Sequence, residues 1–187
     1  MAEVIKEFAL ANIARVEIVT EEDVPRTFVL TDVASDADVI AYLSEGEEKV
    51  LRVKNVIKAQ NKTEDIVLGY DIKLVAATFV PEILAIVDGG TLRYDDLDTD
   101  KVVGYDAPVV GEVVERIPFT TNIYTEEKDG DGSTISYVKF GYKNCKGKPV
   151  NYSLQDGEFY APEFPIKSRS KLKQSPVKID FLDELPT

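Results

Sequence analysis

Apolar and polar side chains alternate with a period of two along most of the chain, which is the pattern of half-buried β-strands. In residues 12–20 the apolar Ala14, Val16 and Ile18 share one face, and residues 117–125 repeat the alternation with aromatic and β-branched side chains. The pattern predicts a single domain over residues 1–187, built mostly from antiparallel strands.

The clearest alternation predicts one unusually long β-hairpin. Its arms are residues 47–59 and 64–76, and the polar residues 60–63 are short enough to connect them. Each arm has about 13 residues and would span roughly 43 Å, about twice the usual strand. Such arms should extend past the core of the domain and leave backbone groups unpaired at their edges, which natural monomers avoid. Either neighbouring copies cover these edges or charged side chains protect them, and we favour neighbouring copies.

The two faces of this hairpin differ in chemistry. The apolar residues that we expect in a sheet shared between subunits are Leu51, Val53, Ile57, Ile66, Leu68 and Ile72. The charged residues on the other face are Arg52, Lys54, Lys58, Asp65, Asp71 and Lys73. Because both signs occur there, the net charge of the polar face stays open.

One short helix interrupts the strands. Thr78 can cap its N-terminus, Pro81 suits its first turn, and an apolar stripe at helical spacing follows. Gly89-Gly90 can end the helix in a left-handed conformation. The helix is too short to be stable alone, so it must pack on the sheet.

Two acidic segments are expected to lack regular structure. Residues 21–48 form an acidic excursion with at most a short strand near Arg26–Thr31. Residues 94–110 contain a run of Asp and then Pro108, which predicts a loop.

Composition and charge exclude several classes of protein. The 187 residues carry 34 acidic and 22 basic side chains, a net charge of −12, with no His and one Cys. Without His there is no Ser-His-Asp triad and no nitrogen ligand for zinc, and a single Cys excludes an internal disulfide. The acidic surplus should repel phosphate backbones. The N-terminus lacks the basic start of a signal peptide and no run approaches about 18 apolar residues, so we expect a soluble, unexported chain.

Clustered side chains give little support to catalysis or metal binding. Asp129–Ser133 partly matches a calcium loop, but the Glu of the last ligand position is missing, so a hairpin turn is expected. The acidic run Asp95–Asp100 could gather a cation, yet acids in a loop are usually solvated. Cys145 has no His to act as a base. We therefore expect no enzyme activity, no metal and no cofactor.

The single basic run of the sequence is formed by Lys167, Arg169, Lys171 and Lys173. It could meet an acidic surface on a neighbouring copy and favour head-to-tail assembly. A solvated loop is the alternative.

Three stretches carry a resemblance to a known family. They are EEKVLRVKNVIKAQNKTEDIVLGY at Glu47–Tyr70, TFVPEILAIVDGGTL at Thr78–Leu92, and FYAPEFPIKSRSKLKQSPVKIDFLDELP at Phe159–Pro186. In the order long hairpin, short helix, aromatic strands, basic loop and final strand, the chain resembles the major tail tube proteins of tailed bacteriophages and of phage-tail-like particles of Gram-positive hosts.

The resemblance implies an antiparallel β-sandwich or partial barrel with one flanking helix. It implies hexameric rings that stack into a hollow tube in the virion tail, assembled in the host cytoplasm, with no membrane. DNA would pass without specific binding, and the other partners would be tail proteins such as the tape measure, terminator or initiator. The charged face of the hairpin would then line the lumen. Ring stacking would use residues in two loops: Asp95, Asp96, Asp98, Lys167, Arg169, Lys171 and Lys173.

Two other functions remain open. The Tyr-rich C-terminal third could give a β-sandwich module of a surface particle an exposed aromatic groove for a ligand or glycan. A hydrolase that uses two carboxylates is the third possibility, although no spacing singles out an acidic pair.

Overall fold

The computed structural model describes residues 6–30 and 34–186, and only the backbone of residues 34 and 35. Twelve strands and one helix, α1, occupy this part of the chain. The elements in chain order are β1 (Leu10–Thr20), β2 (Thr27–Leu30), β3 (Ala34–Ser44), β4 (Glu48–Val53), β5 (Val56–Lys62), β6 (Ile66–Ala76), α1 (Pro81–Asp88), β7 (Thr91–Tyr94), β8 (Val102–Asp106), β9 (Phe119–Lys128), β10 (Thr134–Gly147), β11 (Glu163–Ser168) and β12 (Lys178–Leu182).

One antiparallel sheet forms the main part of the molecule, with the strand order β2-β1-β9-β10-β11-β6-β3. Strand β12 bonds to the stretch of β10 that precedes its contact with β11. Strands β2 and β3 end the sheet and do not bond to each other, so the sheet is open and forms no closed barrel. The prediction of a mainly β, antiparallel, sandwich-like fold with one short helix is confirmed for the residues described.

Side chains on the inner face of this sheet make the hydrophobic core. The core residues from the strands include Val16, Ile18, Ile72, Leu74, Phe119, Ile123, Tyr142, Phe164 and Ile166. In β1, for example, Val16 and Ile18 are fully buried, as the alternation predicted.

Helix α1 packs on the sheet through its apolar stripe. Its buried apolar residues are Ile83, Leu84, Ile86 and Val87. The contact with β10 is close, because a Cβ built on Gly147 would lie 1.9 Å from the backbone oxygen of Val87. Only glycine allows the strand to approach the helix at this position.

The two ends of the helix were predicted with different success. Pro81 occupies the first turn and Gly89, with φ 86°, is the left-handed C-cap, as predicted. The N-cap is Val80, and it makes no side-chain hydrogen bond. The prediction that Thr78 caps the helix is therefore wrong, because Pro81 starts the helix and holds the preceding residue extended.

The acidic excursion is more ordered than expected. Strand β2 lies where the short strand near Arg26–Thr31 was predicted, although Thr31 is outside the described residues. Residues 34–44 are not irregular, since they form the 11-residue strand β3. The cause is tertiary: Val39 lies opposite Ile72 and packs against the core, which outweighs the acidic residues between the apolar ones.

The second acidic segment is also only partly a loop. Residues 102–106 form β8, which pairs with β7, and Arg93 makes an ion pair with Asp106 at 3.1 Å. The loop prediction for residues 94–110 is therefore wrong for β8. A strand of five residues is too short to give a clear alternation.

Candidate assembly ribbon

The β3–β6 hairpin continues into a second pair of strands, β4 and β5. Ser44 lies opposite Ile66 and Glu48 opposite Lys62, so one antiparallel register runs through the junction. At the junction the Gly46 N–H donates to a carboxylate oxygen of Asp65 at 2.8 Å. We call residues 48–62 the ribbon and the remainder of the chain the body.

The turn of the hairpin is at the tip of the ribbon. Lys54 and Asn55 connect β4 to β5, and Lys54 has a left-handed φ of 53°. The predicted connector at residues 60–63 is wrong, because residues 60–62 belong to β5. The predicted arms therefore do not pair with each other: 64–76 contributes β6, which pairs with β3 and β11.

The ribbon buries none of its residues. Its apolar side chains and their exposed fractions are Val50 45%, Leu51 60%, Val53 49%, Val56 54% and Ile57 62%. Val53 faces Val56 across the ribbon, and Leu51 faces Ala59. Ile57 lies opposite Arg52, so it is on the other face from Leu51 and Val53, which corrects the prediction that all three share a side. A break in register between Leu51 and Arg52 causes the change.

Both long edges of the ribbon are open. Among the described strands, β4 bonds only to β5, and β5 only to β4. Backbone N–H and C=O groups on the outer sides of both strands therefore face solvent, and a two-stranded pair of this kind is only marginally stable by itself. The geometry suits the addition of strands from another molecule.

The ribbon also differs in charge from the body. Residues 48–62 contain five basic side chains and one acidic side chain, a net charge of +4. The body contains 17 basic and 33 acidic side chains, a net charge of −16.

The predicted residues of the shared sheet fall into two groups. Leu51, Val53 and Ile57 are on the ribbon, and Ile66 and Leu68, at 62% and 40% exposed, lie just below it. Ile72 belongs elsewhere, because only 2% of it is exposed and it is part of the core. Its assignment to a sheet between subunits is therefore corrected.

The residues predicted to line a lumen do not form one patch. Arg52, Lys54 and Lys58 are at the tip, whereas Asp71 and Lys73 are on β6 of the body. At about 3.3 Å per residue, the chain path from Lys54 to Lys73 is about 60 Å. On the body, a hydrogen bond to Glu163 raises the pKa of Lys73.

The acidic candidates for ring stacking are in the turn between β7 and β8. Asp96 and Asp98 are exposed there, and Asp95 makes a weak pair with Lys101 at 3.7 Å. Leu97 is 98% exposed at the same turn. This turn therefore combines acidic and apolar side chains at the surface.

The basic candidates differ from one another. Lys167, Lys171 and Lys173 are exposed. Arg169 is half-buried, donates to a carboxylate oxygen of Asp71 at 2.7 Å and stacks 4.0 Å from the ring centre of Tyr42. Arg169 thus holds the start of the loop to the sheet, so its place among free stacking residues is corrected.

Sequence analysis missed a buried polar network on the outer face of β1 and β9. Glu17 pairs with Arg15 at 2.6 Å and accepts hydrogen bonds from the Tyr124 hydroxyl at 2.8 Å and the Asn122 amide at 3.3 Å. Burial, helped by the hydrogen bond to Glu17, raises the pKa of Tyr124. Arg15 also donates to the backbone oxygen of Pro186, so the C-terminal segment covers the network. Both carboxylate oxygens of Glu17 are therefore bonded, whereas the buried Nε of Arg15 has no hydrogen-bond partner among the described residues.

A second buried acid joins three parts of the chain. Asp88, at the end of α1, accepts hydrogen bonds from the Tyr105 hydroxyl and from the Val150 N–H. Arg116 donates to the Asp88 backbone oxygen at 2.9 Å, which satisfies the helix C-terminus. The arrangement fixes the β7–β8 hairpin against the helix.

The remaining candidates for chemistry have structural roles. Burial raises the pKa of the Cys145 thiol to about 11, so the thiol is protonated at neutral pH. Asp129 accepts hydrogen bonds from the backbone N–H groups of Asp131 and Ser133, which confirms the predicted hairpin turn. Across residues 6–30 and 34–186, no three His, Cys, Asp or Glu side chains come together as a metal site. Nor does that part of the chain contain a helix with the length and apolarity needed to cross a membrane.

Comparison of the sequence with models of protein families gives no match, and comparison with curated proteins gives none.

Proposed function

We propose that this protein is a structural subunit that assembles with copies of itself into hexameric rings, and that the rings stack into a hollow phage tail tube. The observation that carries the proposal is the ribbon: 15 exposed residues with apolar side chains on both faces and two open backbone edges. The resemblance of Glu47–Tyr70 and two later stretches to tail tube proteins supplies the form of the assembly.

The ribbon favours association with other copies over a free monomer. Soluble monomers shorten, cover or bend their edge strands, whereas β3 ends its sheet and the following β4 bonds to β5 alone among the described strands. Addition of a strand from a neighbour would satisfy these backbone groups and bury the apolar side chains in one step. The chemistry of the protein is then association alone.

In this proposal the other partners are tail proteins, namely a tape measure, a terminator or an initiator, and DNA passes without specific binding. The net charge of −12 supports the last point, because adhesion to a phosphate backbone needs a basic groove. The virion tail is the proposed location, after assembly in the host cytoplasm.

The test is electron microscopy of purified protein together with a variant that lacks the ribbon. Replacing residues 48–62 by Asn-Gly should leave the body folded, because the ribbon buries nothing against it, and should leave the protein monomeric. The matched control replaces the turn Asp129–Gly132 by Asn-Gly, which shortens a different hairpin. We expect rings or tubes from the wild type and the control.

Two results would contradict the proposal. Rings formed by the variant without the ribbon would show that other surfaces carry assembly. A wild type that stays monomeric at high concentration, with and without tail initiator complexes, would remove the proposed function itself.

An exposed aromatic cluster favours the alternative of a ligand- or glycan-binding module. Tyr152 stacks on Tyr160 with ring centres 6.3 Å apart, and Phe79 lies 6.1 Å from Tyr160. Phe79 and Tyr152 are about half exposed, and aromatic faces of this kind can stack on sugars. Binding of a glycan array by a stable monomer, lost in Tyr152→Ala, would support this function over assembly.

A further inference from the structure

The ribbon carries a charge of +4 and the body a charge of −16. We propose that the ribbon docks on the acidic body of a second copy, and that this separation of charge imposes a head-to-tail contact and prevents two ribbons from pairing with each other. The inference rests on the proposed function, because it requires that copies assemble.

The basic side chains at the tip pair with none of the acidic side chains that the structure describes. Within the described residues, none of the ion pairs involves Arg52, Lys54 or Lys58. Arg52 donates instead to the backbone oxygen of Lys54 at 3.0 Å. Three cations therefore lie beside the exposed apolar residues of the tip, and their charge is available to a partner.

Pairing between the ribbons of two copies is the strongest competing contact, since every copy offers the same apolar side chains and the same open backbone edges. It would place two segments of charge +4 side by side, and like charges opposite each other destabilise a strand pair. Lysine on an exposed edge is also a common protection against this kind of aggregation. Contact between two acidic bodies is opposed in the same way.

Contact between a ribbon and a body is the one combination that attracts. It joins two different surfaces of the same chain, so each copy can use its ribbon on one neighbour and receive a ribbon from another. Each copy carries a net charge of −12, so whole copies repel at long range, and the attraction between ribbon and body acts at short distances. The charges thus determine which surfaces meet, and burial of the apolar residues stabilises the contact.

Two double variants with the same net charge separate this inference from simple repulsion. Lys54→Glu/Lys58→Glu reverses two charges on the ribbon, and Lys143→Glu/Lys146→Glu reverses two exposed charges on the body. Each variant is four charges more acidic than the wild type. Assembly rates are followed by light scattering at about 20 mM and about 1 M salt, with electron microscopy of the products and circular dichroism to confirm folding.

At low salt the ribbon variant should assemble at least ~10-fold more slowly than the body variant, because the two have the same net charge and differ only in where the added acidic side chains lie. The difference should shrink to about twofold at 1 M salt, where the Debye length is about 3 Å.

Equal slowing of both variants would overturn the inference, because net repulsion would then explain the result. A difference between the two variants that persists unchanged at 1 M salt would overturn it as well, because the difference would then not be electrostatic. In both cases the wild type still forms rings, so the proposed function stands. A wild type that forms no assembly under any condition would remove the inference together with the proposed function.

Discussion

The apolar side chains of the ribbon should contribute most of the free energy of each contact between copies. Leu51 and Ile57 are 60% and 62% exposed, on opposite faces of the ribbon. Full burial of such a side chain is worth about 1.5–3 kcal/mol, so burial of the exposed part of each should contribute about 1–2 kcal/mol. The double variant Leu51→Ser/Ile57→Ser should therefore lose about 2–4 kcal/mol per contact, or roughly 30- to 700-fold in the association constant.

The critical concentration for assembly, measured by sedimentation, reports this loss. Thermal unfolding should be nearly unchanged, because exposed residues that touch no core usually alter stability by about 0.5 kcal/mol or less. The matched control is Val110→Ser/Val113→Ser, which removes apolar surface from residues that are 98% and 93% exposed on the body. A critical concentration of the ribbon variant within about threefold of the wild type would refute the reasoning, as would an equal increase in the control.

Three further predictions concern the fold. Gly147→Ala should destabilise the protein by about 1–3 kcal/mol in urea unfolding, because its Cβ would overlap the helix backbone, whereas Gly130→Ala, in open space, should have little effect. Tyr124→Phe should cost about 1–3 kcal/mol because it removes a buried hydrogen bond to Glu17, and a loss below about 0.5 kcal/mol would contradict this role. The Cys145 thiol has a pKa of about 11 when folded and an ordinary value of 9.0, so the unfolded state ionises first. The contribution of the buried thiol to the free energy of unfolding should be complete below pH 9 and lost between pH 9 and 11. Urea titrations should detect this loss in the wild type and not in Cys145→Ala.

The local alternation of apolar and polar residues was sufficient to predict a strand where one face of that strand meets the core. Val16 and Ile18 alternate with polar residues because their strand lies half-buried in a sheet, and such a strand has a period of two. Pro81 and Gly89 marked the helix because each has a backbone preference that does not depend on the rest of the fold.

The tip of the ribbon was misplaced because its turn has no strong local signal. Lys54-Asn55 contains no glycine, and the polar residues 60–63 gave the better match to a connector. The ribbon has no buried face, so alternation could not fix its register.

Contacts between distant parts of the chain were also beyond prediction. Nothing near Arg169 in the sequence indicates that it stacks on Tyr42, and nothing near Glu17 indicates that the C-terminal segment covers its ion pair. Both depend on which strands become neighbours in the sheet. Strand β3 was also not predicted, because acidic residues interrupt its apolar residues and its formation depends on pairing with β6.

Hydrogen exchange of the backbone amides, measured on monomer and on assembled protein, tests most directly whether the ribbon is completed by other copies. The amides of residues 48–62 that point outward should exchange quickly in the monomer and become protected on assembly, while amides of the core strand β9 change little. Assembled particles in which residues 48–62 exchange as fast as in the monomer would contradict the account.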